Sequence, residues 1–110
     1  MLDTITSSTE ISSLFAHAKR CNAHSVSLLI KRNEDRHGPR GRVAFIAGKK
    51  NGNAVWRNTA KRRMRAIVRD LGGPWAGYDV VFIAKRDILE VEYSKVLFAC
   101  QTLIRSEVEK

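Results

Sequence analysis

The stretch Asn53-Ala54-Val55-Trp56-Arg57-Asn58-Thr59-Ala60-Lys61-Arg62-Arg63-Met64-Arg65-Ala66-Ile67-Val68-Arg69-Asp70-Leu71 decides how this chain is put together. At about 100° per residue, Trp56, Ala60, Met64, Ile67 and Leu71 fall within about 40° of one direction. Asn58, Lys61, Arg62, Arg65 and Arg69 fall on the far side, about 100° to 200° away. The spacing predicts an amphipathic helix over 53–71 that packs on a core through one stripe and turns a cationic stripe to solvent. Gly72-Gly73-Pro74 ends it, because glycine suits a helix C-cap and proline cannot continue the hydrogen-bond ladder.

Working outward, the segments on either side carry strand patterns. Residues 26–30 and 42–47 are β-rich runs separated by a charged turn containing Gly38 and Pro39, and the two are expected to pair antiparallel. An extra short strand between 23 and 41 is allowed for. Residues 80–84 form another apolar run, and Val96, Leu97, Cys100, Leu103 and Ile104 mark a final amphipathic helix. At the start, Ser7 and Glu10 have capping-box spacing, and Ile11, Leu14, Phe15 and Ala18 recur on one helical face. A first helix over 11–20 follows, with Lys19 and Arg20 at its C-terminal end. The order α-β-β-α-β-α, without repeat or linker, describes one compact α+β sandwich over 1–110.

Bulk properties agree. A chain of 110 residues with 44% hydrophobic content forms a single core rather than a disordered tail. Twenty Lys and Arg against eleven Asp and Glu leave a net charge of +9, which points to a polyanionic partner. Cys21 and Cys100 stand apart from each other and from any histidine at metal-ligand spacing, so core thiols are expected. No apolar run reaches the length of about 18 residues that a membrane span needs, and residues 1–10, polar and acidic, are not expected to act as a signal peptide. A cytoplasmic location is the expectation.

The charge is concentrated. Between residues 49 and 69 stand Lys49, Lys50, Arg57, Lys61, Arg62, Arg63, Arg65 and Arg69, with no carboxylate among them. A helix face that serves solubility mixes signs into i, i+4 pairs, and this one does not. Arginine dominates, and its planar fork matches phosphate oxygens. Mutual repulsion on such a face is relieved by a polyanion through counterion release. The loop before the helix adds Lys49 and Lys50 between Gly48 and Gly52, beside free N–H groups at the helix start.

No catalytic constellation accompanies this face. His17, His24 and His37 are scattered without an evident nucleophile or carboxylate partner, and Glu34 and Asp35 lie in a charged turn. No metal-binding set is expected. Trp56, Phe45, Phe82 and Phe98 fit core positions, whereas Trp75 is undecided. From the residues alone, a structural RNA-binding protein and a self-sufficient nuclease remain open beside an RNA-binding subunit of a larger enzyme.

The run from Lys49 to Arg65 resembles the signature of the bacterial ribonuclease P protein family, a Lys-Lys-x-Gly-x-Ala-Val loop leading into Arg-Asn-Arg-x-Lys-Arg-x-x-Arg. The family's first helix and its Asp-hydrophobic-Ala-Arg strand find counterparts at 11–20 and 79–85. The resemblance implies a two-layer α–β sandwich like domain 2 of ribosomal protein S5, with a left-handed β-α-β crossover around the arginine-rich helix. It implies a non-catalytic protein subunit, a monomer within its holoenzyme, that helps a catalytic RNA and its Mg²⁺ remove the 5′ leader of precursor tRNA. Lys49, Lys50, Arg57, Asn58, Lys61, Arg62, Arg65 and Arg69 would face the catalytic RNA. Phe15, Ile11 and Lys85 would line a cleft for the leader, where an aromatic face can stack on an unpaired base. This chain departs from the pattern at Thr59, Ile11 and Lys85, where the family carries Arg, an aromatic residue and Arg.

Overall fold

The computed structural model describes residues 16–32 and 41–108. The strands are β1 (Lys19–Asn22), β2 (Val26–Arg32), β3 (Arg42–Ile46) and β4 (Tyr78–Ala84). Two helices accompany them, the arginine helix (Ala54–Asp70) and the last helix (Tyr93–Glu107). The strands form one mixed sheet in the order β1-β2-β4-β3. β1 and β4 flank β2 antiparallel, and β3 runs parallel to β4 with Val43 opposite Val80 and Phe45 opposite Phe82. This is the α+β architecture expected from the sequence.

The pairing differs from expectation in one respect. β2 and β3 are not neighbours, because β4 lies between them. Consecutive strands usually pair, which is why the hairpin was the natural expectation. A parallel pair, however, needs a crossover of a dozen or more residues, and the arginine helix is that crossover between β3 and β4. β2 is nearly continuously apolar and is buried on both faces, so it takes a neighbour along each edge. Its second neighbour is the short strand β1, which lies upstream of the place allowed for it. Lys19 and Arg20 therefore belong to a strand rather than to the end of a helix. Ser7, Glu10, Ile11, Leu14 and Phe15 of the expected first helix lie outside the described residues.

Alternation along each strand sorts the core. Val26, Leu28 and Ile30 of β2, Val43 of β3, and Val80, Phe82 and Ala84 of β4 belong to one cluster. Ala60, Met64, Ile67 and Val68 of the arginine helix and Val96, Cys100 and Ile104 of the last helix pack into the same cluster. Leu29, Ala44 and Val81 form a smaller cluster from the opposite set of strand positions, with Ala18, Ile46 and Ile83 against it. The large cluster is what holds the arginine helix on the sheet. Met64 and Ile67 are fully buried, and each such side chain contributes about 1.5–3 kcal/mol by leaving water.

Candidate nucleic-acid interface

The arginine helix is closed at both ends by its own sequence. At the N-terminus, the Asn53 side-chain oxygen accepts from the Trp56 backbone N–H at 3.0 Å. Gly52 is required just before it, since a Cβ there would lie 2.6 Å from Cγ of the Trp56 ring. At the C-terminus, Gly72 adopts a left-handed φ of 83°, and the chain closes a Schellman turn. Gly73 donates to the Val68 carbonyl at 2.9 Å, and Gly72 donates to the Arg69 carbonyl at 3.2 Å. These caps fix where the helix begins and ends, and so which residues share its outer face.

Preceding the helix, Lys49–Asn51 forms a single 3₁₀ turn that projects Lys49 and Lys50 into solvent. One bond holds the turn itself to the sheet, and a second ties the first turn of the arginine helix to the residue after β3. Asn51 Nδ2 donates to the Ala84 carbonyl at 3.5 Å, and Arg57 Nε donates to the Ala47 carbonyl at 3.1 Å. Ala47 and Ala84 lie at the C-terminal ends of the parallel strands β3 and β4, so both bonds anchor the loop at the same edge of the sheet.

The cations of this region divide into two groups. Asn58, Arg62, Arg65 and Arg69 are exposed and Lys61 is half-buried, along the face predicted to be polar. Among the described residues, no carboxylate forms an ion pair with Lys61, Arg62, Arg65 or Arg69. The guanidinium of Arg65 lies 5.6 Å from the Phe45 ring centroid, which limits its sweep without hiding its charge. Arg57 and Arg63 are half-buried and serve the fold. Arg63 Nη1 donates to the carbonyls of Ile88 and Val91, and its guanidinium sits 5.6 Å from the centroid of Tyr93. Arg57, expected among the RNA-facing residues, spends its Nε–H on Ala47, while its Nη groups make no hydrogen bond among the described residues. Sequence reasoning did not foresee the carbonyl-capping role of either arginine, because their acceptors are distant in the chain.

Of the residues expected in a leader cleft, Phe15 and Ile11 lie outside the described residues. Lys85 is placed at the end of β4, where its Nζ donates to the Ala23 carbonyl at 2.7 Å and its N–H to the Ser25 carbonyl at 3.0 Å. It ties the β1–β2 turn to β4. On the opposite sheet face from the helices, Arg42 pairs with Asp79 at 2.9 Å, both side chains largely buried. Trp75 is buried and stacks on Phe82 with centroids 6.2 Å apart. Phe98, expected in the core, is instead 68% exposed on the last helix. The buried stripe of that helix runs through Val96, Cys100 and Ile104, and Phe98 falls outside it.

Reactive groups are few. Cys21 and Cys100 are free and buried, and burial pushes the Cys100 thiol up to about 12. It stays protonated and unreactive at neutral pH. His24 reaches the Asp87 carboxylate at 3.3 Å in an exposed setting, and His37 lies outside the described residues. No group of three metal-ligating side chains occurs among the described residues. Nor, among them, is any helix long and apolar enough to cross a membrane. A cavity of about 530 Å³ beside the β1–β2 turn is lined by Glu90 and Glu92 as well as Lys95 and His24, a mixed charge unlike that of the outer strip.

Comparisons with known proteins agree with this geometry. Residues 2–107 match the family model described as Ribonuclease P. The ribonuclease P protein component of Streptococcus equi subsp. equi (strain 4047) is 42% identical over 55 residues, covering 50% of this chain and 46% of that protein. Its counterpart from Streptococcus pyogenes serotype M5 (strain Manfredo) is 40% identical over the same length and the same shares. The alignments thus span about half the length of the curated relatives. Among solved structures, the RNase P protein of Staphylococcus aureus superposes with a TM-score of 0.81 at 16% identity, covering 100% of both chains. That of Thermotoga maritima gives 0.75 at 23% identity, covering 88% of this chain and 90% of the other. At those identities the superpositions establish the fold.

Proposed function

Because this chain belongs to the Ribonuclease P family, we propose that it is the RNA-binding protein subunit of ribonuclease P, assisting a catalytic RNA in removing the 5′ leader from precursor tRNA. The observation that carries this reading is the cationic strip of Lys61, Arg62, Arg65 and Arg69, with which no carboxylate among the described residues pairs, continued by Asn58 and by Lys49 and Lys50. A strip of like charges on a rigid helix gains affinity from a phosphate backbone by releasing condensed counterions. It gains nothing comparable from a neutral partner.

In this reading the protein does no bond-breaking. The catalytic RNA and the Mg²⁺ it holds supply the phosphodiester chemistry, and this chain's residues hold and orient. Lys49, Lys50, Arg62, Arg65 and Arg69 meet phosphates of the RNA subunit, with Asn58 and the Nη groups of Arg57 as hydrogen-bond donors beside them. The side of the sheet opposite the helices, together with Phe15 and Ile11, meets the leader of the precursor tRNA. Lys85 acts there through the turn it anchors. The protein works as a monomer within a cytoplasmic holoenzyme.

The test is cleavage of precursor tRNA at low Mg²⁺ by a bacterial ribonuclease P RNA, with and without the purified protein. Stimulation by the protein, and no cleavage by the protein alone, is the expected result. Failure to stimulate, or cleavage without RNA, would overturn the reading.

A further inference from the structure

Beside the cationic strip runs an open groove of about 460 Å³, lined by Thr59, Arg62, Arg63, Ala66, Leu89 and Tyr93. Its volume falls within the range of small-ligand sites. One wall is a stripe of the arginine helix, since residues 59, 62, 63 and 66 follow i, i+3, i+4, i+7 spacing. Two of its four residues are short and leave the space open between Arg62 and Arg63. Thr59 is short and turns back on its own helix, its hydroxyl donating to the Val55 carbonyl at 2.8 Å, and Ala66 is smaller still. The opposite wall is Leu89, from the segment that leads into the last helix, and Tyr93, the first residue of that helix.

That second wall is rigid before any ligand arrives. The Tyr93 hydroxyl donates to Asp70 Oδ2, and the Arg63 guanidinium lies against its ring. Arg63 is itself fixed by the Ile88 and Val91 carbonyls. The groove is therefore apolar and aromatic within and cationic at its rim, where Arg62 belongs to groove and strip alike. Phosphate alone has no use for the apolar part. A base that has left its stack does, because it presents a flat π surface together with a phosphate on either side.

We infer that this groove receives one unpaired base of the RNA bound on the cationic strip, with Arg62 holding its backbone. The inference rests on the proposed function and adds a base-binding subsite to it. The strip binds charge irrespective of sequence, whereas the groove admits RNA only where a nucleotide is unstacked. It directs the protein to a bulge or loop rather than to continuous duplex.

Ala66→Leu and, separately, Thr59→Leu fill the groove without altering charge. Each should weaken binding to a bacterial ribonuclease P RNA about tenfold at fixed salt, the scale of one lost stacking contact, and leave the log–log salt slope unchanged. Full affinity in both variants, with a slope that still flattens when Arg65 and Arg69 become Ala, would overturn the groove and leave the strip standing. An unchanged slope in the latter variant as well would overturn both. The wild-type protein offers a check that needs no variant. Uridine 5′-monophosphate should shift the amide resonances of Ala66, Leu89 and Tyr93, and inorganic phosphate should not. Identical shifts from both, or shifts from a polyglutamate peptide but not from the nucleotide, would refute the inference.

Discussion

Arg57 and Arg62 stand five positions apart in one basic helix, yet they do different work. Arg57 caps the Ala47 carbonyl from a half-buried position, while Arg62 is exposed. Arg57→Ala should therefore cost about 1–3 kcal/mol of stability, the penalty for stranding a partly buried acceptor. Arg62→Ala should leave stability within about 0.5 kcal/mol, as for exposed positions generally. Urea denaturation of the two variants tests this directly. Tyr93 offers a second prediction. Burial, and then the hydrogen bond to Asp70, push its hydroxyl from 10.0 up to about 12. The protonated form is favoured by folding, so its contribution is complete below pH 10 and is lost as pH rises towards 12. The Tm difference between wild type and Tyr93→Phe should shrink through that window. None of these roles was legible in the sequence. A wheel reports which way a residue points, and it is silent about a carbonyl that a distant loop brings alongside.

The arginine helix itself was legible almost completely. Its stripe, its N-cap neighbourhood and its glycine stop are local features, and local features need only spacing and residue type. Ala60, Met64 and Ile67 are buried as the wheel requires, and Val68 joins them from its edge. Met64→Ala should destabilise by about 2–5 kcal/mol, because the fully buried site cannot collapse around the lost volume. Chemical denaturation would measure it. The outer face predicts a different signature. Removing Arg62, Arg65 and Arg69 together should flatten the salt dependence of RNA binding by about 0.7–0.9 log–log units per lost phosphate contact. A filter-binding titration across salt concentrations reads that slope. The last helix lies where its spacing puts it, but Phe98, which fits a core position by pattern, stands outside the buried stripe. With apolar residues on most sides of that helix, the pattern alone does not say which stripe the sheet selects.

For the molecule as a whole, the division into layers was readable and the strand order was not. Apolar runs announce strands, but a sheet's order depends on which connection is long enough to cross over. Only the three-dimensional path reveals that β4 enters between β2 and β3. At low Mg²⁺, stimulation of the RNA should fall in step with affinity for variants of the outer strip. For Met64→Ala it should recover at temperatures where the protein is folded. Precursor-tRNA cleavage across temperature would separate the two cases. A last consequence follows from the Asn51 bond that fastens the Lys49–Asn51 turn to the end of β4 and the Arg57 bond that closes the flanking loop onto Ala47. A loop clamped in this way has little freedom left to lose when a ligand arrives. Its encounter with RNA should proceed as one rigid body meeting another, fast and without a slow ordering phase. Cutting either clamp should slow the association and leave the charge unaltered in the case of Asn51→Ala.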